Sequence, residues 1–298
     1  MLVKFLSKRN IINLIISLIL SVLIIYPFHT YGLLYASVIF LLFFIVIQLS
    51  LTIMSTLEVP LGEENLGVYF ILMSSFLVLS PDMHIIPFVS TLIITYLLFI
   101  VLMKFNSARE IKVTFFLNIS LLTGIIIFIY PPLMIMGFFL ILAALFTSKP
   151  GKKIIITIIG YLTAFYLGSV AEMLLWHKSF AQVWDRLTDI HLISYNHQYN
   201  IIWLYLAILA LLSLMIFIAQ KNSFTLKIRK IFWLIFIFQL NAFAANLFIS
   251  EKPIFPLVYS VSIPAAYFFQ KIKLKSYLKN IILISLIIFV LLLGFNLI

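Results

Sequence analysis

The residues best suited to chemistry crowd into "WDRLTDIHLISYNH", Trp184 to His197. That stretch holds two aspartates, an arginine and two histidines in a chain where only 10% of residues are Asp, Glu, Lys or Arg. Asp185 and Asp189 are one helical turn apart, so on a helix they share a face, as paired acid–base or cation-binding carboxylates do. Upstream, "GSVAEMLLW" places Glu172 near the end of an otherwise apolar run. An ionisable group inside a membrane span is costly and is by default a functional-site candidate. The plain alternative is a carboxylate reached by headgroup water or paired with Lys178. The candidate catalytic set is therefore Glu172, Asp185 and Asp189, acting as base or cation ligand. Arg186, His29, His84 and His191 are the candidate phosphate-binding groups, by charge and donor chemistry.

A metal centre has little support. "PDMH" supplies Asp82 and His84, and "DIHLISYNH" supplies Asp189, His191 and His197, which are ligand types that suit zinc. There is no H-E-x-x-H, no histidine pair four apart and no Cys. Asp82 also has a structural use: Ser80 suits a helix N-cap, Pro81 the first helical position, and an acid the first turn. No metal and no cofactor is expected. Phosphate-cradling glycine loops, nucleophile elbows and dinucleotide fingerprints are absent from the sequence.

The elements that position these groups follow from hydropathy. The chain of 298 residues is 64% hydrophobic with mean hydropathy +1.23, against the roughly 45–50% apolar usage of soluble domains. Apolar runs of span length recur from end to end, which predicts an all-α polytopic transmembrane bundle forming one integral membrane domain over residues 1–298. Eleven spans are expected, at about 11–28, 33–54, 66–79, 85–103, 113–130, 133–147, 154–175, 201–219, 231–249, 257–269 and 280–298. The first imitates a signal peptide, but its apolar stretch is long and no small-residue cleavage site follows, so it is read as an uncleaved span.

The formal charge of +11 is distributed by topology rather than gathered for nucleic acid. With a cytoplasmic N-terminus, the basic clusters at 4–9, 104–112, 149–153, 221–230 and 271–279 all fall inside. Only Lys178, Arg186 and Lys252 of the 20 Lys and Arg remain outside, a strong positive-inside bias that predicts N-in, C-out. The turn "STLEVPLGEEN" carries three glutamates inside, as a solvated turn or a partner-binding loop. Pro27, Pro81, Pro131, Pro132, Pro253 and Pro256 mark outward turns, and Pro264 is expected to kink the tenth span. "QLNAFAANLF" suggests a close helix contact or a cavity wall.

The quoted stretch belongs to the largest outward loop, 176–200. Trp176, Phe180, Val183, Trp184, Leu187 and Ile190 recur at helical spacing, with Lys178, Gln182, Asp185 and Asp189 opposite. This predicts an outward amphipathic interfacial helix over 176–190. It is either an anchor sealing the bundle or a lid over a substrate, with Asp185 and Asp189 aimed inward.

The order of features resembles an uncharacterised family of Bacteroidota polytopic inner-membrane proteins, a domain of unknown function. The resembling pieces are "FLSKRN", "LSPDMHIIPFVSTLIITYLLF", "FFLNISLLTGIIIFIYPPLMIMGFFLILAAL" and "KPGKKIIITIIGYLTAFYLGSVAEMLL". The middle region is also similar to multi-span glycosyltransferases that use polyprenyl-phosphate sugars, in which a glycine, a short gap and a Tyr-Pro-Pro or Arg-Pro-Pro turn join two helices. Those enzymes carry their catalytic acid in the first outward loop, whereas "YPFHTYG" here offers His29 and no acid. The resemblance implies the bacterial inner membrane and a protein handling a lipid-linked sugar or glycan at its outer face, as glycosyltransferase, polymerase or flippase. The alternative is a non-catalytic membrane subunit or scaffold of a larger envelope complex. Expected partners are membrane lipid, a polyprenyl-phosphate-linked substrate and other envelope membrane proteins, with no nucleic acid.

Overall fold

A computed structural model describes residues 85–107, 110–190, 200–220, 225–249 and 254–271, with residues 15, 37, 40, 41, 44, 281 and 284 besides. The expected spans at 11–28, 33–54, 66–79 and 280–298, the glutamate turn, and His29, Asp82, His84, His191 and His197 lie outside those stretches. The described residues are mostly helical, with no strand among them. The helices are α1 (Ile85–Ser107), α2 (Val113–Ile129), α3 (Met134–Leu145), α4 (Pro150–Trp176), α5 (Phe180–Thr188), α6 (Asn200–Gln220), α7 (Leu226–Ile249) and α8 (Phe255–Lys271). Three are long and apolar enough to cross a membrane: Ile86–Phe105 of α1, all of α4, and Ile228–Ile249 of α7.

The chain falls into two compact units. One comprises Met1–Met83, His197–Arg229 and Val258–Ile298, and the other His84–Asn196 and Lys230–Leu257. In the first, α8 is buried from Val258 to Ile263, where no residue is more than 1% exposed. The buried stretch includes the polar Ser260 and Ser262, and α8 continues past Pro264 to Lys271.

The second unit is organised by a small-residue seam. Gly160, Ala164 and Gly168 recur every four residues on α4 and meet Ser120, Gly124 and Phe128, equally spaced on α2. A methyl added to Gly124 would stand 2.6 Å from Ala164 Cβ, and one on Gly168 2.6 Å from the Phe128 ring. A methyl on Gly160 would collide with Ser120 Oγ. Matching order along both helices makes α2 and α4 parallel, with backbones closer than any larger side chain permits. α3 must therefore carry the chain back from the Tyr130 end to the Lys149 end. Pro131 and Pro132 begin that return in a 3-10 turn, where a missing N–H costs nothing. Tyr161 Oη donates to Gly137 O at 2.8 Å and ties α4 to α3. At the other end Ile111, Phe116 and Ala144 form a buried cluster.

Helix α7 joins the same unit from Lys230 onward. Phe139 of α3 and Phe238 of α7 meet edge to face, with ring centroids 5.0 Å apart. Ala242 and Ala245 are fully buried, and Asn246 Oδ1 accepts the Ile254 N–H at 2.7 Å. Of the two readings of "QLNAFAANLF", Ala242 and Ala245 match the close contact, while Leu240 of the same stretch lines a groove.

Pro150 opens α4 behind Lys149, which adopts the left-handed conformation at φ 56°. Lys153, one turn in, is only 2% exposed and donates from Nζ to Ser148 O at 2.6 Å. Ser148 Oγ in turn donates to Glu110 Oε1 at 3.0 Å. Lys153 therefore stitches the α3–α4 turn shut. Lys153→Met, which keeps the stem and loses the charged donor, is expected to lower stability by about 1.5–3 kcal/mol. Equilibrium unfolding in mixed micelles checks this.

Candidate functional site

Helix α4 ends at Trp176, followed by His177 in the left-handed region at φ 53°. The expected single amphipathic helix from 176 is thus two elements. Ser179 and Gln182 form a reciprocal capping box, with Ser179 N donating to Gln182 Oε1 at 2.9 Å and Gln182 N to Ser179 Oγ at 3.4 Å. This box starts α5 at Phe180, because a Ser three residues before a Gln satisfies two of the helix's orphan N–H groups.

The apolar arc of α5 is divided between two surroundings. Val183 and Leu187 are buried and pack with Phe128 and Phe165. Phe180 and Trp184, on the other edge of the same arc, stay exposed and stack on each other at 6.4 Å and 18°. Trp176 is exposed as well. One edge docks on the bundle and the other projects aromatic rings outward, the side-chain type favoured at headgroup depth.

Where α5 docks, the charged groups meet. Arg186 Nη2 lies 3.1 Å from Glu172 Oε1, and Lys178 Nζ lies 3.5 Å from Glu172 Oε2. Glu172 is the most enclosed of the three, its side chain 13% exposed against 30% for Arg186 and 38% for Lys178. The Arg186 contact is an ion pair rather than an aligned hydrogen bond, since its buried Nε and Nη2 make no hydrogen bond. The guanidinium instead rests on the Phe128 ring, Cζ 4.7 Å from the centroid, a cation–π contact. Phe128 is held edge to face by Phe165 at 6.0 Å and seated against Gly168.

Of the groups singled out by residue type, the fold brings together Glu172, Arg186 and Lys178. Asp185, on α5, and Asp189, just past its end, are both exposed. On α5 the docked side is taken by Val183, Arg186 and Leu187, so Asp185 does not have the inward aim expected of a lid. Among the described residues, no three of His, Cys, Asp or Glu gather closely enough to hold a metal ion. Sequence reasoning overlooked Phe128, Phe165 and Gly168. The repeat of small residues from Gly160 to Gly168 was the signal available for the last.

Comparison with protein-family models, with curated proteins and with solved structures finds no match to this chain. What the chain is rests on its own geometry: an all-helical protein with helices able to cross a membrane and a charged clamp fastening a short aromatic-edged helix to them.

Proposed function

We propose that the protein is a non-catalytic membrane subunit of an envelope complex, embedded by about eleven spans in a bacterial inner membrane, N-in and C-out. Helix α5 is its clamped interfacial anchor. The observation that carries this reading is the engagement of Glu172: each carboxylate oxygen faces a cation, Arg186 on one side and Lys178 on the other. A carboxylate occupied in this way fixes one helix to another instead of presenting a base to a substrate. The basic clusters at alternate turns support the orientation. The parallel run of α2 and α4 with α3 returning between them supports the alternation. Along α4, Ile155, Ile159, Leu162 and Tyr166 form an exposed stripe at helical spacing, available to a neighbouring span.

The test has two arms. A photo-crosslinking residue in place of Leu162 is expected to capture another membrane protein in intact membranes. The purified chain, given a polyprenyl-phosphate-linked sugar and an acceptor, is expected to form no product. Turnover abolished by Asp185→Asn or Asp189→Asn would overturn this reading in favour of the second.

That second reading is a protein handling a lipid-linked glycan at the outer face. It is favoured by the excess of cations at the clamp, where Arg186 and Lys178 oppose a single carboxylate. It is also the reading implied by the sequence resemblance to polyprenyl-phosphate-sugar glycosyltransferases.

A further inference from the structure

An apolar groove of about 580 Å³ runs between α3 and α7, lined by Leu142, Leu145 and Phe146 on one side and Trp233, Ile237 and Leu240 on the other. Its volume falls within the ~300–1,000 Å³ of ligand clefts. Phe139 touches Phe238, while later residues of α3 share the groove with earlier residues of α7, so the two helices run antiparallel. The turn after α3 and the start of α7 therefore lie at the same end of the groove. That end is basic: Lys149 and Lys152 follow α3, Lys230 stands near the start of α7, and Lys104 and Lys112 flank Phe105 and Ile111, which pack by Ala144. Against them stands Glu110, which already accepts a hydrogen bond from Ser148.

On α7 the order of chemistry is that of a lipid. Lys230, Trp233, Ile237 and Leu240 follow one another at three- and four-residue steps, so they share one face. Lys230, Trp233 and Leu240 are exposed. A cation, an interfacial indole and then aliphatic side chains match a phosphate, a glycerol backbone and an acyl chain in turn.

We propose that this groove seats an acyl chain of an anionic glycerophospholipid from the leaflet at the basic end, its phosphate held by Lys230 with help from Lys149. A partner helix fits the lining poorly. Helix seats inside a bilayer are built from small residues that let backbones approach. This groove is walled by Leu, Phe and Trp, and the small-residue seam of the unit is already filled by α2 against α4. The inference is independent of the envelope-subunit reading and stands whether or not α5 is an anchor.

Trp233 is itself the reporter. In a Trp176→Phe, Trp184→Phe, Trp203→Phe background, the full chain is reconstituted in phosphatidylcholine vesicles. These contain a small fraction of either acyl-brominated phosphatidylglycerol or acyl-brominated phosphatidylcholine. Phosphatidylglycerol is expected to quench Trp233 with at least fivefold preference, and Lys230→Gln to reduce that preference about fivefold, the effect of one lysine near an anionic surface. Native mass spectrometry of the unmodified chain and of K230Q, counting phosphatidylglycerol adducts, gives the same comparison without the Trp replacements. Equal quenching by the two lipids would overturn the proposal, since the chain would then lie there without headgroup recognition. Absence of quenching by either, as with a groove filled by protein, would overturn it too, as would a preference untouched by K230Q.

Discussion

Gly160→Val is expected to destabilise the protein by about 3 kcal/mol, at the upper end of overpacking costs, read as a lowered unfolding midpoint in mixed micelles. Even the first methyl meets Ser120 Cβ at 2.9 Å and Leu117 O at 3.2 Å. Rotation of the Ser120 hydroxyl offers no escape, because Oγ already donates to Leu117 O at 2.9 Å and the carbonyl belongs to the helix backbone. The remaining response is separation of α2 from α4, which forfeits the close van der Waals packing that holds helices together in lipid. Gly160→Ala should cost less, about 1–3 kcal/mol, and Ser120→Gly should restore part of it by clearing both the hydroxyl and Cβ. The loss should also reach α5, since Phe128 is seated on Gly168 two turns along the same seam. A G160V protein as stable as the parent, or no rescue of G160A by S120G, would show that α2 and α4 do not meet at these residues.

Apolar run length located the helices well wherever the structure describes them. The apolar run expected at 113–130 is the helix Val113–Ile129, and the short run at 133–147 is the turn and helix Pro131–Leu145. Run length is a local property, read residue by residue from the sequence. Pairing is not local. Gly160, Ala164 and Gly168 announce that something approaches closely, but nothing in their spacing says that it is Ser120, Gly124 and Phe128. Glu172 shows the same limit. Its pairing with Lys178 is open to sequence reasoning because the two are near neighbours in the chain. Arg186 reaches it only because Phe128, from a different helix, supplies the surface on which the guanidinium lies. The start of α5 was legible in Ser179 and Gln182, yet the continuous apolar periodicity from Trp176 masked it. Lys153 carries no signal: it sits in a cluster of basic residues that all look solvated, and its burial depends on the fold of the turn around Ser148.

Glu172→Ala is expected to cost about 2 kcal/mol, with the loss concentrated at α5. Removing one member of a fully buried pair costs ~3–5 kcal/mol because a charge is left uncompensated in low dielectric. The figure is smaller here because Arg186 and Lys178 are 30% and 38% exposed and water screens what remains. The uncompensated charge is that of Arg186, whose Nε and Nη2 are buried and which keeps only the face of Phe128 as a favourable neighbour. Arg186→Met should hurt less than Glu172→Ala, since the methionine stem preserves the packing on Phe128 and Glu172 retains Lys178. The double variant should be more stable than the two single losses predict, with a coupling of about 1–2 kcal/mol, as for groups in direct contact. Lys178→Met, at 3.5 Å and the more exposed cation, should change stability by no more than about 0.5 kcal/mol. Hydrogen exchange localises the effect: in the Glu172→Ala protein the amides of Phe180–Thr188 should lose protection while those of α2 and α4 keep theirs, because α5 is the element the ion pair holds. A coupling of zero between Glu172 and Arg186, or equal losses for Glu172→Ala and Lys178→Met, would mean that Val183 and Leu187 alone dock α5. Glu172 would then be free for the role at a substrate that its two cations otherwise deny it.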